Sequence, residues 1–173
     1  MTQKEFREIS IRGRIAYCIK CLNNYLNNTY PDSDFSSVTD IACRITEDGD
    51  YIDESAMAFM EIIPEYLYEF DNYEDAEFEY ISKDQYESLT SLIPKEDNDL
   101  NIIMHSIYDI AMEYCYTSVE DHAKNNLKYI INTVEILRKN KISIPAVEDF
   151  VKYDFSINDG WGDFISRNEY MNN

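Results

Sequence analysis

Apolar residues recur at three- and four-residue spacing along most of the chain, which is the pattern of helices with one buried face. The clearest early stripe begins at Ile11 and predicts a helix to about Asn27. Arg12 and Arg14 fall on the other side of this helix, away from its apolar stripe. Pro31 follows soon after, and proline cannot continue a helix.

Shorter stripes predict the next two helices. One runs from about Ser36 to Thr46 and ends at a turn over residues 47–50. The other begins after Asp53, a good residue for capping a helix N-terminus, and is interrupted by Pro64. Proline inside a helix removes a hydrogen bond and clashes with the preceding turn, at a cost of about 3 kcal/mol. We therefore expect a kink or break at Pro64, followed by a turn or two of helix.

The second half of the chain predicts one short helix and two long ones. Residues 82–85 read Ser-Lys-Asp-Gln, a capping box that starts the short helix. The first long helix starts at Asp97 or Asp99 and runs to about Thr117, and the second spans about residues 119–140. Because the connection between them is very short, we expect the two to pack as an antiparallel hairpin.

The C-terminal residues complete the predicted fold. Residues 146–153 predict a further short helix, and the segment 158–165, which carries the single tryptophan, is expected to fold back over the helices. A chain of 173 residues with only four glycines and four prolines favours one helical domain. We predict a single all-α domain over residues 1–173, a bundle of about six to eight helices with a C-terminal helical hairpin and a short aromatic tail.

Charge changes the picture of what this domain does. The formal net charge is −19, and residues 47–99 hold eighteen carboxylates, two lysines and nine aromatic residues. Such a charge repels nucleic-acid phosphates and anionic membranes and favours basic partners. The alternative is that the acids form only a solvated coat that keeps the protein soluble.

The acidic residues that no apolar helical stripe accompanies lie between residues 69 and 84, since the stretch before them keeps such a stripe. We expect a loop or irregular helix there. Tyr68, Tyr73 and Tyr80 are expected to be exposed because acids flank them, and exposed tyrosine contributes contact area at interfaces with little entropy cost. The candidate partner-binding residues are Tyr68, Glu69, Asp71, Tyr73, Glu74, Asp75, Glu77, Glu79, Tyr80 and Asp84.

No motif predicts catalysis, a metal or a cofactor. Cys18 and Cys21 form a CxxC, but the pair lies inside a helix without a second ligand pair, so core packing of reduced thiols is the simpler account. His105 and His122 have no serine or cysteine nucleophile in a recognisable motif. The glycines form no phosphate-binding loop, and neither acidic segment that contains glycine has the spacing of a calcium loop.

The first residues of the chain and the length of its apolar runs indicate its cellular location. The first ten residues are polar and lack the apolar core of a signal peptide. No apolar run approaches the roughly 20 residues of a membrane span. We expect a soluble, cytoplasmic protein without a cofactor, which binds a basic protein and neither nucleic acid nor membrane.

Two segments together resemble a known family. Residues 65–75 read Glu-Tyr-Leu-Tyr-Glu-Phe-Asp-Asn-Tyr-Glu-Asp, and residues 101–116 have a helical pattern with alanine and tyrosine near its end. This order is similar to the all-α immunity proteins of bacterial polymorphic toxin systems, in which an acidic turn precedes a long helix. The resemblance spans residues 52–117, with Phe59 and Tyr66 near the place where the family pattern has a tryptophan. It implies a cytoplasmic inhibitor, not an enzyme, that binds and blocks a cognate toxin domain, often a nuclease.

Two other functions stay open at this point. An acidic adaptor or nucleic-acid mimic that binds another basic protein would use the same surface. An enzyme with a carboxylate site of no known motif would need a deep pocket in which two or more carboxylates converge.

Overall fold

The computed structural model describes residues 3–48 and 52–172, and within these residues the chain is all-helical, as predicted. The described residues form eight α-helices: Gln3–Phe6 (α1), Ile11–Thr29 (α2), Ser36–Glu47 (α3), Ile52–Met60 (α4), Pro64–Leu67 (α5), Lys83–Leu92 (α6), Asn98–Met112 (α7) and Leu127–Lys139 (α8). Four short 3₁₀ segments add to them: Asp121–Asn126, Val147–Asp149, Asn158–Gly160 and Arg167–Glu169. None of the helices in these ranges is both long and apolar enough to cross a membrane.

Helix α2 lies at the centre of the bundle and packs against α3, α7 and α8. Its apolar stripe is buried as predicted, from Ile11 to Leu26. The expectation that its charged residues would lie away from the core is wrong for Arg12 and Arg14, which are 6% and 0% exposed. A helix surrounded on several sides buries even its polar side, so that these arginines need internal partners.

Arg14 finds its partners among backbone carbonyls. Its guanidinium donates hydrogen bonds at 2.7–3.2 Å to the carbonyl oxygens of Phe6, Arg7, Ile9, His122 and Ala123. Burial lowers the pKa of this guanidinium to about 10. One side chain thereby joins the start of the chain to the segment before α8.

The same contacts explain why α8 starts later than predicted. Asp121, His122 and Ala123 have φ angles of +46°, +53° and +45°, a left-handed conformation that costs a non-glycine residue about 1–2 kcal/mol. Arg14 binds two carbonyls of this turn. The helix predicted from residue 119 therefore begins only at Leu127. Helices α7 and α8 do pack against each other, but α7 ends at Met112 and the connection is not the very short loop we expected.

The break predicted at Pro64 is confirmed. Helix α4 ends at Met60, and Pro64 occupies the first position of α5, where its missing N–H has no helical partner to lose. The capping box of α6 is confirmed as well, since Gln85 N–H donates to Ser82 Oγ and Ser82 N–H to Gln85 Oε1. The turn expected over residues 47–50 extends outside the described residues.

The C-terminal tail folds back over the helices, as predicted. The Trp161 carbonyl accepts a hydrogen bond from the backbone of Arg12 at 3.0 Å, and Ile165 N–H donates to the Thr46 carbonyl at 2.9 Å. The Arg12 guanidinium lies 4.8 Å from the ring centroid of Phe164, a cation–π contact. The helix expected over residues 146–153 is only the 3₁₀ turn Val147–Asp149.

Candidate functional site

The residues between α5 and α6 form a loop without regular helix, as the sequence predicted; we call residues 68–82 the acidic loop. Two apolar side chains anchor it, because Ala76 and Ile81 are buried while most of their neighbours are exposed. The acidic loop is therefore a packed surface segment and has a defined shape.

A buried carboxylate holds the end of this loop. Glu61 is 7% exposed and follows α4 directly. Its two oxygens accept hydrogen bonds from the backbone N–H groups of Glu79, Tyr80 and Ile81 at 2.6, 2.9 and 3.0 Å. A buried charge requires such partners, and three N–H donors satisfy both oxygens.

Sequence reasoning missed Glu61, because the apolar pattern assigns it to the helical stretch that ends before the candidate site. One signal could have found it. Glu61 stands alone in the apolar run Met60-Glu61-Ile62-Ile63, and an acid that is buried with such a run needs a partner, since unpaired carboxylates are almost never fully buried.

Two of the three tyrosines expected to be exposed serve the packing of the loop instead. Tyr68 is half-buried, and its hydroxyl donates to the carbonyl oxygens of Thr90 at 2.8 Å and Ile93 at 2.5 Å. Tyr73 is half-buried too, and its hydroxyl donates to the Ile81 carbonyl at 3.0 Å. The expected exposure of both residues is therefore wrong, because backbone carbonyls nearby need their hydroxyls as donors.

Tyr73 also joins an aromatic cluster beneath the loop. Its ring centroid lies 5.7 Å from those of Phe78 and Tyr86, and the latter two are 5.5 Å apart. Such ring pairs stabilise by about 0.5–1.5 kcal/mol beyond their buried area. The cluster connects the acidic loop to α6, whose first turn carries Asp84.

The candidate carboxylates divide into two groups. Glu74 forms an ion pair with Lys83, and Asp75 accepts a hydrogen bond from the Asn72 amide at 2.6 Å. The other five are exposed and form no side-chain hydrogen bond or ion pair with any residue in the described ranges: Glu69, Asp71, Glu77, Glu79 and Asp84. None of these five carboxylates is held by a hydrogen bond or ion pair within those ranges, so that they are open to a cationic partner, although Asp84 also contributes to raising the pKa of Lys83.

Tyr80 extends the acidic surface toward α4. It is 39% exposed, and desolvation followed by the carboxylates of Glu79 and Glu54 raises the pKa of its phenol. In the same first turn of α4, Asp53 accepts a hydrogen bond from the hydroxyl of Tyr116 at 3.1 Å, and Tyr116 is 77% exposed. The sequence predicts that this stretch belongs to the core, because α4 has an apolar stripe on its other side.

The residues that could have carried other chemistry are packed. Cys18 and Cys21 are free thiols in the core, as predicted, and burial raises the pKa of Cys18 to about 12. His105 lies 2.8 Å from the Glu65 carboxylate, and the His122 ring stacks on Phe155 at 4.9 Å. Over residues 3–48 and 52–172, no three histidine, cysteine or carboxylate side chains converge in a way that could hold a metal ion.

Comparisons of the chain with protein-family models, with curated proteins and with solved structures found no match. The likeness of residues 52–117 to toxin-immunity proteins therefore stays a prediction from sequence. What the chain does must be argued from the acidic loop and its surroundings.

Proposed function

We propose that this chain is a toxin-neutralising immunity protein, which uses its acidic surface to bind and block a cognate toxin domain with a basic cleft, such as a nuclease. The observation that carries the proposal is the Glu61 carboxylate, which holds three consecutive N–H groups of the acidic loop. It supports a preformed surface with five exposed carboxylates that form no side-chain hydrogen bond or ion pair within the described residues.

Preformed charge suits a protein inhibitor for two physical reasons. A loop already held in place loses little conformational entropy on binding, so that more of the interaction energy appears as affinity. The summed field of clustered carboxylates also raises the association rate with a basic surface by about 10–10³-fold at low salt. An inhibitor that protects its own cell from a toxin needs both fast capture and tight binding.

Tyr80 and Tyr116 add contact area to that charge. Both are exposed aromatic residues beside carboxylates. Tyrosine is enriched at protein interfaces because its ring buries apolar area and its hydroxyl accepts or donates a hydrogen bond. The proposed interface thus comprises the acidic loop, Asp84, the first turn of α4 and Tyr116. It assigns the chain no catalytic step.

The proposal is tested by co-expression in bacteria with the product of the neighbouring gene, scored as rescue of growth. The informative variant neutralises Glu69, Asp71, Glu77 and Glu79 together with Gln or Asn. Its matched control makes the same changes at four exposed acids elsewhere, Asp32, Glu120, Glu135 and Glu148. The two variants have equal net charge, so that a difference between them reports position and not total charge.

The expected result is rescue by the unchanged chain and by the control variant, and loss of rescue by the loop variant. The association rate of purified proteins should fall by about tenfold or more in the loop variant, and steeply with added salt for the unchanged chain. A neighbouring product that is harmless alone, or rescue that the loop variant retains in full, would contradict the proposal. Binding to many unrelated basic proteins with equal affinity would favour the acidic adaptor or nucleic-acid mimic instead.

A further inference from the structure

A cavity of about 510 Å³ opens beside the acidic loop, between that loop and the end of α4. Its walls are mostly apolar and aromatic: Met60, Tyr66, Phe70 and Phe78. Phe70 is 44% exposed, so that its ring is open to solvent at this cavity. The cavity therefore offers aromatic surface to a ligand that enters from solvent.

The rim of this cavity is acidic. Glu69, Asp75 and Glu77 line it, and of these only Asp75 has a side-chain partner in the described part of the chain, the Asn72 amide. The buried Glu61 also borders the cavity, but its oxygens already accept three N–H groups. Glu69 and Glu77 are exposed, and neither forms a side-chain hydrogen bond or ion pair within the described residues.

Contacts within the chain hold one side of this cavity in place without a ligand. Ala76 is buried at the base, and Phe78 packs against Tyr73 and Tyr86. Glu61 fixes the backbone immediately after Phe78. Because Phe78 and the backbone after it are held by these contacts, this side of the cavity is formed before any partner arrives.

We propose that this cavity binds a single arginine side chain from the basic surface of the partner protein. The aliphatic stem would lie against Met60 and Phe70, and the guanidinium would meet the carboxylates of Glu69 and Glu77. Charge complementarity favours a cation, and the aromatic walls favour arginine over lysine. A guanidinium is planar, weakly hydrated, stacks on rings and pairs with carboxylates through two N–H groups, whereas an ammonium is strongly hydrated.

The existence of a partner rests on the proposed function, but the cavity itself can be tested without one. The probe is a blocked heptapeptide with one arginine among glycines and serines, titrated into the full isotope-labelled chain and followed by amide chemical shifts. Two companion peptides replace the arginine with lysine or with citrulline, which keeps the shape and loses the charge.

We expect saturable shifts centred on residues 69–78, and affinity about tenfold lower for citrulline, with lysine between the two. The double variant Glu69→Gln, Glu77→Gln should weaken the arginine peptide by a similar factor. The matched control, Glu87→Gln with Glu148→Gln, removes two exposed acids outside the cavity and should leave binding unchanged. Phe70→Ala should reduce the preference for arginine over lysine, because the stacking surface is lost.

Three results would each overturn the inference: equal affinity for arginine and citrulline, shifts spread evenly over the acidic surface, or no saturable shift up to about 20 mM peptide, the weakest affinity of interest. The peptide titration and the growth assay test different proposals, so that either proposal can be wrong without the other. A cavity that selects arginine in a chain that rescues no cell would remove the immunity function alone. A chain that rescues cells but does not select arginine would remove this cavity alone.

Discussion

The Glu61 carboxylate accepts a hydrogen bond from the backbone N–H of Tyr80 at 2.9 Å, across nineteen positions of sequence. Glu61 is buried, whereas Tyr80 is one of the exposed aromatic residues of the acidic surface. One carboxylate of the chain therefore organises the segment that presents the others. Glu61 is thus a structural acid, whereas the exposed acids form the surface.

Replacing Glu61 with glutamine should loosen the acidic loop. The amide can accept through only one atom, and its NH₂ group would face N–H donors, so that at least one buried donor loses its partner. We expect the free energy of unfolding to fall by about 2 kcal/mol. Hydrogen exchange at residues 79–81 should accelerate by about 30-fold, the same free energy expressed as a local opening equilibrium. Exchange rates unchanged from those of the control Glu87→Gln, an exposed acid of α6, would contradict this role.

The tyrosines of the loop should separate into structural and interface residues. Tyr68→Phe removes the donor to the carbonyls of Thr90 and Ile93 and should lower the free energy of unfolding by about 1 kcal/mol. Tyr80→Phe should leave the urea midpoint unchanged, since the Tyr80 ring is exposed. In contrast, Tyr80→Ala should weaken partner binding. If both phenylalanine variants shifted the midpoint equally, the assignment of Tyr68 to packing would be wrong.

Replacing Arg14 with lysine should destabilise the whole domain. Three guanidinium nitrogens donate to carbonyl oxygens in two separate segments, residues 6–9 and residues 122–123. One ammonium group cannot replace all of these hydrogen bonds. We expect a loss of about 2–4 kcal/mol, measured by urea unfolding. Arg138→Lys in the last turn of α8, where the side chain is exposed, serves as the matched control. A loss no larger than that of the control would show that the hydrogen bonds of the guanidinium are not required.

Acid should release the C-terminal tail. Burial alone would raise the pKa of Glu47, but hydrogen bonds from the side chain and backbone of Arg167 outweigh it and lower that pKa. Since the folded chain binds this proton less tightly than the unfolded chain, Glu47 stabilises the tail above the ordinary value of 4.5, and the contribution is lost as the pH falls below it.

The single tryptophan reports this step. Trp161 fluorescence should shift to longer wavelength below pH 4.5, before helical circular dichroism is lost. Glu47→Gln should remove the transition, because the amide does not titrate. Glu74→Gln, which removes another carboxyl with a lowered pKa far from the tail in sequence, should leave it in place. Identical transitions in all three proteins would mean that Glu47 does not hold the tail.

Helix existence and helix breaks could be predicted from the sequence because their causes are local. Pro64 and the Ser82–Gln85 capping box act on their own turns, and both produce the expected boundary. The start of α8 could not be predicted, since the left-handed turn before it depends on Arg14, more than a hundred positions away. No periodicity within one segment records such a partner.

The sequence by itself determined the helical class, most helix positions, the packing of the cysteines and the location of the negative charge. These follow from spacing, propensity and charge, which are properties of neighbouring residues. Only the tertiary structure decided which acids and tyrosines remain free for a partner. Glu61, Tyr68 and Tyr73 are used internally because buried N–H and carbonyl groups must be paired, and those groups lie 8 to 22 positions away in the sequence, beyond the reach of a helical turn.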